Sequence, residues 1–247
     1  MEISSALVIA LAGYLIGSLS GARVITKLAG AGVNLDDARR HQAKTGEAGI
    51  VSGIGASTVS SVLGLKYAGK VALYDILKAF IPVIILRMLL PGQRYDLVFS
   101  LFAIIGHIYP IYYRFDGGRG LSPMDGSLLV IEPIGMTTAL LAATLLGVLI
   151  NQPHTALVLW IPMLASWSWF VRGDIPALIY TFLLLVLFLL AEIPEMRLAM
   201  QYRRQGRMDE YTQMILTSTL QMRMMKRLAQ RLRFRDKEPF STGEKRQ

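Results

Sequence analysis

Long apolar runs separated by short polar breaks dominate the chain. The first run covers Ile3–Leu19, and its apolar pattern continues to Ala29. Five more runs follow, at Ala68–Leu90, Leu97–Tyr113, Leu128–Ile150, Ala156–Val171 and Ala177–Ile193. A run of roughly 20 apolar residues is long enough to cross a bilayer as a helix, and helices satisfy their own backbone hydrogen bonds there. The pattern therefore predicts an all-α, polytopic helical bundle that is integral to a membrane.

Basic residues predict the orientation of this bundle. Residues 1–22 contain no Lys or Arg, and the next segment carries Arg23, Lys27, Arg39, Arg40 and Lys44. A signal peptide, the alternative for the first run, would start with basic residues instead. Because basic loops stay in the cytoplasm, the N-terminus should lie outside and this segment inside. The basic C-terminal tail should also lie inside, so an odd number of spans is expected. A short, broken or half-buried segment at Leu121–Glu132 would supply the seventh transmembrane helix.

Composition narrows the class of protein. Hydrophobic residues make up 53% of the 247 residues, charged residues 17%, and the mean hydropathy is +0.45. Soluble domains carry about 25% charged residues, so an ordinary water-soluble enzyme and a disordered chain are both excluded. The chain has no Cys, and His41, His107 and His154 are too far apart for metal-ligand spacing. We therefore expect no metal and no cofactor.

The net charge of +9 lies mostly in the C-terminal tail. Residues 196–247 contain 13 Lys or Arg and 5 Asp or Glu, so we divide the chain into a bundle at 1–195 and a basic tail at 196–247. The stretch Met196–Arg235 is rich in Met, Leu, Arg and Gln, which predicts an amphipathic cytoplasmic helix that binds anionic lipid. Nucleic-acid binding is the other interpretation of such charge, but beside a membrane bundle we expect none. A tail that only sets topology is an equally good hypothesis.

A loop rich in small residues at Gly46–Gly64 is the first candidate site. Small residues let backbone N–H groups approach an anion, and hydroxyl groups add donors. The candidate phosphate-binding residues are Ser52, Gly53, Gly55, Ser57 and Thr58. Close packing of helices through small residues explains the same composition equally well.

The second candidate is the pair Asp75 and Lys78. The two residues are three positions apart, so they share one face of a helix, and they lie inside an apolar run. A charge costs a few kcal/mol there on insertion scales. A role in a cavity-facing site is the functional hypothesis, and a structural ion pair is the alternative.

The third candidate is the block Gly106–Gly120, whose sequence is GHIYPIYYRFDGGRG. Three glycines, Gly117, Gly118 and Gly120, flank Arg119, and a guanidinium fork matches the geometry of a phosphate. His107 could act as an acid, a base or a hydrogen-bond donor. A structural histidine with satisfied hydrogen bonds is the more ordinary interpretation of His107.

The order of these motifs resembles that of the bacterial acyl-phosphate:glycerol-3-phosphate acyltransferases, a small integral-membrane family. The matching pieces are GYLIGSLSGARVITKL from Gly13, the Gly32-Val33-Asn34-Leu35 turn, DILKA from Asp75 and the GHIYPIYYRFDGGRG block. The resemblance covers roughly residues 10–195, and the last block is its most specific part.

The resemblance implies a seven-helix monomer in the bacterial plasma membrane with its active site at the cytoplasmic face. A member of this family moves a fatty acyl group from acyl-phosphate to glycerol 3-phosphate in phospholipid synthesis, without a metal or a cofactor. By this resemblance Arg119, Lys78 and His107 are the catalytic residues and Asp75 orients them. Backbone and hydroxyl groups of the two glycine-containing loops would hold phosphate.

The chain departs from the family pattern at several positions. Both asparagines of the phosphate loop are missing, and Ser61 stands where the family carries an arginine. The family closes on an R-H-x-x-N-I motif, whereas this chain has Ala191-Glu192-Ile193-Pro194-Glu195. The inserted Arg39, Arg40 and Lys44 are candidates to replace the lost cations. The acceptor could therefore be glycerol 3-phosphate or a related hydroxyl compound. The alternative is a catalytically inactive lipid-binding or regulatory scaffold, and a transporter is a weaker third hypothesis.

Overall fold

The computed structural model describes residues 2–39, 53–149 and 153–212. Within these ranges the chain forms helices and loops, without a β-strand. The main helices are α1 (Ile3–Gly17), α2 (Gly21–Leu28), α3 (Ala56–Leu63), α4 (Leu65–Leu89), α5 (Tyr95–Ile108), α6 (Leu121–Ile131), α7 (Pro133–Leu149), α8 (Pro153–Trp167) and α9 (Ile175–Arg204). A 3₁₀ turn at Ile111–Tyr113 follows α5, and a π-helical turn at Ser168–Arg172 follows α8. The prediction of an all-α protein is confirmed.

The first predicted run is a bent pair of helices. α1 and α2 meet at an angle of 41° across a break of three residues. Ser20 starts the second helix, because its side chain accepts a hydrogen bond from the backbone N–H of Arg23 at 3.4 Å. The break leaves backbone carbonyl groups at the end of α1 without helical partners, and these carbonyls become part of a buried cluster.

Within the described residues, length and composition identify two or three helices that could span a membrane. The segment Tyr95–Tyr113 and α9 are long and apolar enough to cross a membrane, and the bent pair would be a third span. The predicted run at residues 128–150 is divided between two shorter helices, because Pro133 lacks an N–H group and starts α7. The short segment expected at 121–132 is the 11-residue helix α6. The total of seven spans and the sides of the two termini stay predictions.

Glycines bring the helix backbones close together around the bend. A Cβ atom on Gly17 would collide with the backbone of Ala103 in α5, and one on Gly106 would collide with the carbonyl oxygen of Tyr14 in α1. In the same way, α6 approaches the carbonyl oxygen of Ile76 in α4 through Gly126. Small residues at such positions permit close helix packing in membranes. The bend is therefore held directly against α5.

Two apolar clusters position the rest of the molecule. The larger lies among α5, α6, α8 and α9, and its fully buried members include Ile104, Met124, Leu128, Ile161, Leu164 and Leu184. The smaller cluster joins α2, α3 and α4, and consists of Ala22, Leu35, Ile54, Val59 and Val71. Because Ile54 lies in it, the smaller cluster fixes the small-residue loop where α3 begins.

Helix α9 passes through the predicted boundary between bundle and tail. It begins at Asp174, whose side chain accepts a hydrogen bond from the N–H of Ala177 at 3.0 Å, and it continues past Pro194 to Arg204. Residues 208–212 are helical again. Most of the predicted amphipathic tail, residues 213–247, lies outside the described residues.

Candidate functional site

The pair predicted on α4 forms a buried network with the histidine of α5. The Nζ atom of Lys78 lies 2.8 Å from Oδ1 of Asp75 and 3.0 Å from Nδ1 of His107. The Asp75 and Lys78 side chains are only 3% and 5% exposed. The prediction that Asp75 and Lys78 share one face is confirmed, and the structure adds His107 to them.

Lys78 also closes the break between α1 and α2. Its Nζ atom donates to the carbonyl oxygens of Gly17 and Leu19 at 2.9 and 2.7 Å, and Asp75 accepts from the N–H of Gly21 at 3.3 Å. An ammonium group has three protons, and Lys78 has four polar neighbours. The lysine is therefore saturated, and the network ties the bend to α4 and α5.

The turn at Gly117–Gly120 packs directly on His107. The N–H of Gly118 donates to the carbonyl oxygen of His107 at 3.1 Å, and a Cβ atom on Gly118 would collide with the Nε2 atom of the ring. Gly117 meets the carbonyl oxygen of His107 in the same way. One ring nitrogen thus faces Lys78 and the other faces Gly118, which favours a positioning role for His107 over a role as a general base.

The small-residue loop contacts the same turn. The N–H of Ile54 donates to the carbonyl oxygen of Gly117 at 2.7 Å, and Gly53 has φ +101°, a conformation that favours glycine. Thr58 is buried and donates to the carbonyl oxygen of Gly53 at 3.0 Å. The structure therefore brings all three predicted motifs together, because the Gly106–Gly120 block contacts both the small-residue loop and the Asp75–Lys78 pair.

Helix α3 presents its N-terminus at this contact. It starts after Gly55, and no side chain within the described ranges caps its first turn. Free N–H groups and the helix dipole make such an end favourable for an anion. Ser57, in that first turn, is half-buried, whereas Ser52 lies outside the described residues. Phosphate binding by this glycine-lined backbone stays a prediction.

Arg119 lies against the last helix. Its Nη1 atom is 2.9 Å from Oε1 of Glu192. One turn further along α9, Glu195 is 1% exposed and accepts a hydrogen bond from the Oη atom of Tyr211 at 3.2 Å. The Oε2 atom of Glu195 is buried and has no hydrogen-bond partner among the residues that the structure describes. We call Arg119, Glu192, Glu195 and Tyr211 the arginine–glutamate cluster.

The phenol of Tyr211 serves as the donor in this cluster. Burial and the nearby charge of Glu195 raise the pKa of Tyr211 above its usual value, and Glu192 acts in the same direction. The hydroxyl group therefore keeps its proton and donates a hydrogen bond to Glu195. Sequence reasoning did not propose Glu192, Glu195 or Tyr211 as site residues. Two carboxylates three residues apart in an apolar helix were the available sign, as they were for Asp75 and Lys78.

Two arginines, one in α2 and one after it, hold the segment that leads into the Gly117–Gly120 turn. Arg39 forms a bidentate ion pair with Asp116 at 2.5 and 2.6 Å, and Arg23 donates to the carbonyl oxygen of Asp116 at 2.9 Å. These arginines fix the residue that precedes Gly117. The other candidates to replace lost cations, Arg40 and Lys44, lie outside the described residues. In the ranges given above, no group of three or more His, Cys, Asp or Glu could hold a metal ion.

Comparisons with known proteins agree in sequence and in fold. The family model for glycerol-3-phosphate acyltransferase matches residues 7–200. Glycerol-3-phosphate acyltransferase 1 of Oceanobacillus iheyensis is 36% identical over 130 residues, which cover 49% of this chain and 56% of that protein. The Myxococcus xanthus glycerol-3-phosphate acyltransferase is 37% identical over 147 residues, covering 59% and 67%. The chain thus spans less than two thirds of the Oceanobacillus protein.

A solved structure has the same fold. The crystal structure of PlsY (YgiH), an integral membrane glycerol 3-phosphate acyltransferase, in its glycerol 3-phosphate form superposes with a TM-score of 0.64. The match has 24% sequence identity and covers 82% of this chain and 94% of that one.

Proposed function

This chain belongs to the glycerol-3-phosphate acyltransferase family, and on that premise we propose that it transfers a fatty acyl group from an acyl-phosphate to a hydroxyl acceptor. The observation that carries the proposal is the contact between the loop before α3 and the Gly117–Gly118 turn. Backbone N–H groups and a helix N-terminus without a side-chain cap among the described residues meet there, and Arg119 follows the turn directly in the chain. These are the groups that bind a phosphate at the end of a lipid chain.

The reaction needs little covalent chemistry from the protein. The acceptor oxygen attacks the acyl carbon, the bond between that carbon and the phosphate oxygen breaks, and phosphate leaves with the electron pair and takes up the hydroxyl proton. The acyl group is already activated, so the protein acts by holding both reactants in line and by stabilising charge on the leaving phosphate. The N–H groups at Gly53–Ser57 and the Gly117–Gly118 turn would hold that phosphate.

The candidate residues then take different roles. Arg119 directly follows the phosphate-binding turn and would contact the reactants. Lys78 and His107, the other two residues proposed as catalytic, would act as positioning residues. The Nζ atom of Lys78 contacts Nδ1 of His107, and it also contacts Asp75 and two backbone carbonyl groups. Gly120 starts α6 with φ +84°, which turns the chain away from the site.

The proposed setting is a bacterial plasma membrane, crossed several times, with the active face in the cytoplasm and the chain as a monomer. The basic tail would bind anionic lipid. The alternative, an inactive member that serves as a lipid-binding or regulatory scaffold, is favoured by one observation. Arg119 is already paired with Glu192, so it is not free to meet a substrate unless that pair opens or the pair itself faces the substrate.

An acyl-transfer assay tests the proposal. Protein purified in detergent receives a long-chain acyl-phosphate with glycerol 3-phosphate, and then with a panel of other hydroxyl compounds. We expect an ester product, and we expect Arg119→Ala to reduce its rate about 100-fold, the usual effect of losing one charge-stabilising donor. Arg172→Ala is the matched control, because that arginine is half-exposed and pairs with Glu132 away from the turn. Folded protein without turnover on any acceptor would support the scaffold instead.

A second variant pair tests the turn itself. Gly118→Ala places a methyl group against the His107 ring and should lower transfer strongly, since it moves the backbone that holds phosphate. Gly69→Ala in α4 is its control, because a Cβ atom there has nothing within 4 Å. Equal activity of the two variants would remove the turn from the site.

A further inference from the structure

Glu192 of α9 holds the guanidinium group of Arg119 in one place. The Nη1 atom of Arg119 lies 2.9 Å from Oε1 of Glu192, and the two side chains are only 13% and 11% exposed. Water screens a pair of charges at this depth poorly. An unpaired arginine samples many rotamers, so the contact with Glu192 fixes where the guanidinium group points.

The backbone around Arg119 does little to fix that orientation by itself. Both immediate neighbours of the arginine, Gly118 and Gly120, lack side chains. A guanidinium group has five N–H donors, and the contact with Glu192 uses one of its three nitrogen atoms. Donors on the other nitrogens therefore remain for a phosphate while the carboxylate holds the group in place.

A short segment after α9 folds back onto the same helix. α9 ends at Arg204, Gly206 has φ +70°, and the N–H of Arg207 donates to the carbonyl oxygen of Tyr202 at 2.9 Å. A left-handed glycine just past a helix end reverses the chain in this way. Tyr211 thereby returns to α9, where its ring centroid lies 5.7 Å from that of Tyr202.

Tyr211 brings a hydroxyl group to the acidic face of α9. The residue is buried, and its Oη atom donates to Oε1 of Glu195 at 3.2 Å. Glu195 lies three residues after Glu192, so the two carboxylates share one face of the helix. The family model matches residues 7–200, and Tyr211 therefore comes from a part of the chain that this match does not include.

We propose that Glu192 and Tyr211 are positioning residues of the transfer site. Glu192 orients Arg119 toward the phosphate at the glycine turn, and Tyr211 fixes the turn of α9 that carries Glu192 through its hydrogen bond to Glu195. The inference rests on the proposed function and leaves its reaction and its acceptor unchanged. It is the opposite of the scaffold interpretation, because the ion pair prepares the arginine for substrate instead of withdrawing it.

Glu192→Gln tests the direct contact. The variant keeps the side-chain shape and removes the charge, so kcat/KM with acyl-phosphate and glycerol 3-phosphate should fall about 10-fold or more. Glu132→Gln is the matched control, because Glu132 is also buried but pairs with Arg172 away from the turn. An active parent chain with an unchanged or raised kcat/KM in Glu192→Gln overturns the proposal and leaves acyl transfer itself intact.

A double-mutant cycle separates positioning from a purely structural role. Arg119→Ala removes the group that Glu192 orients, so adding Glu192→Gln to it should lower kcat/KM by less than about 2-fold. A carboxylate that only stabilises the fold would lower activity equally in both backgrounds. That outcome overturns the proposal.

Tyr211→Phe tests the segment after α9. The variant removes only the hydroxyl group, and kcat/KM should fall about 3-fold, as expected for the loss of one hydrogen bond. Tyr202→Phe is the matched control, because the two rings are in contact and Tyr202 does not hydrogen-bond to the carboxylates. Equal activity of the two variants overturns the assignment of Tyr211.

Binding of inorganic phosphate separates failure of this inference from failure of the proposed function. The thermal midpoint of the purified protein is measured with and without phosphate. A rise that is lost in Arg119→Ala and reduced in Glu192→Gln supports the positioning role even in protein that shows no turnover. In such protein, an equal rise in the parent chain and in Glu192→Gln, or no rise at all, overturns it.

Discussion

Among the residues that the structure describes, two groups of buried charged side chains differ in how completely they are paired. In the Asp75–Lys78–His107 network the Nζ atom of the lysine and the Oδ1 atom of the aspartate each have several partners, and two of the lysine's partners are backbone carbonyl groups at a helix break. In the arginine–glutamate cluster the Oε2 atom of Glu195 has no partner among the described residues. We call the first group the closed network, which behaves as a structural joint, and the second the open cluster, in which one carboxylate is only partly paired.

The same difference in pairing distinguishes residues that stabilise the fold from residues that are suited to a functional role. A group whose hydrogen bonds are all internal gains nothing from substrate, and its removal is felt mainly as lost stability. A group that is short of a partner costs stability when empty and recovers it on binding, a common compromise at functional sites. Removing a charge should therefore lower stability in the closed network and leave it unchanged or raise it in the open cluster.

The largest effect on stability is expected for Lys78→Met. Removal of the ammonium group leaves Asp75 as an uncompensated buried charge and frees two backbone carbonyls, so the free energy of unfolding should fall by about 3–5 kcal/mol. Chemical denaturation in detergent measures it. Lys66→Met is the control, because Lys66 is exposed at the start of the same helix, and its effect should stay within about 0.5 kcal/mol. Equal effects of the two variants would contradict a structural joint at Lys78.

A smaller loss is expected for Gly106→Ala. The added methyl group would meet the carbonyl oxygen of Tyr14 and push α5, with His107, away from the bend. Overpacking of this kind lowers the free energy of unfolding by about 1–3 kcal/mol. Gly69→Ala, a helical position with free space, should be neutral or raise stability by up to about 1 kcal/mol. Thermal unfolding of both variants in one detergent makes the comparison, and equal midpoints would show that close contact does not hold the joint.

In the open cluster a substitution is expected to leave the free energy of unfolding unchanged or to raise it. Glu195→Gln replaces a partly unpaired buried carboxylate with a neutral amide, so stability should stay unchanged or rise by about 1 kcal/mol. Asp75→Asn, the same chemical change in the closed network, should lower it, because Lys78 loses its counter-charge. The two variants differ only in where they lie, and thermal midpoints in the same buffer compare them. A drop of equal size in both would erase the distinction between the two regions.

The smallest effect is expected for the ion pair between Arg94 and Asp174, which lies before α9. Burial alone would raise the pKa of the Asp174 carboxyl, but the N–H of Ala177 and Arg94 outweigh burial and hold that pKa below its ordinary 3.8. A group whose pKa is lowered by folding stabilises the protein at pH values above its ordinary pKa. This contribution is lost as the pH falls through the lowered pKa. Because water screens this pair, Asp174→Asn should cost less than about 1 kcal/mol at pH 7.

This prediction is checked by measuring, as a function of pH, how much Asp174→Asn lowers the free energy of unfolding. The difference between the parent chain and Asp174→Asn should begin to shrink below about pH 4, disappear as the pH falls through the lowered pKa, and be smaller in high salt. Asparagine is expected to keep the cap on α9. A difference that persists at low pH would mean that the variant disturbs this cap as well as the ion pair.

Some contacts followed from local spacing and others did not. The positions of Asp75 and Lys78 predicted a shared helix face, because three residues in a helix span nearly one turn. The carbonyl groups of Gly17 and Leu19 could not be predicted as their partners, because a continuous apolar run gives no sign of where it bends. In the same way, the glycine turn predicted an anion-binding backbone, but not that Ile54 would donate to it from a separate loop.

The amino-acid sequence by itself determined the helical class, the glycine-flanked arginine and the family resemblance, since apolar periodicity and short motifs are local properties. Only the tertiary structure decided which buried charges are satisfied. Arg119 and Glu192 are separated by 73 positions in the chain, and their pairing depends on how α9 packs beside the turn. Whether a charge is closed or open to a ligand is set by the atoms that packing brings within hydrogen-bond distance, and no local pattern records those atoms.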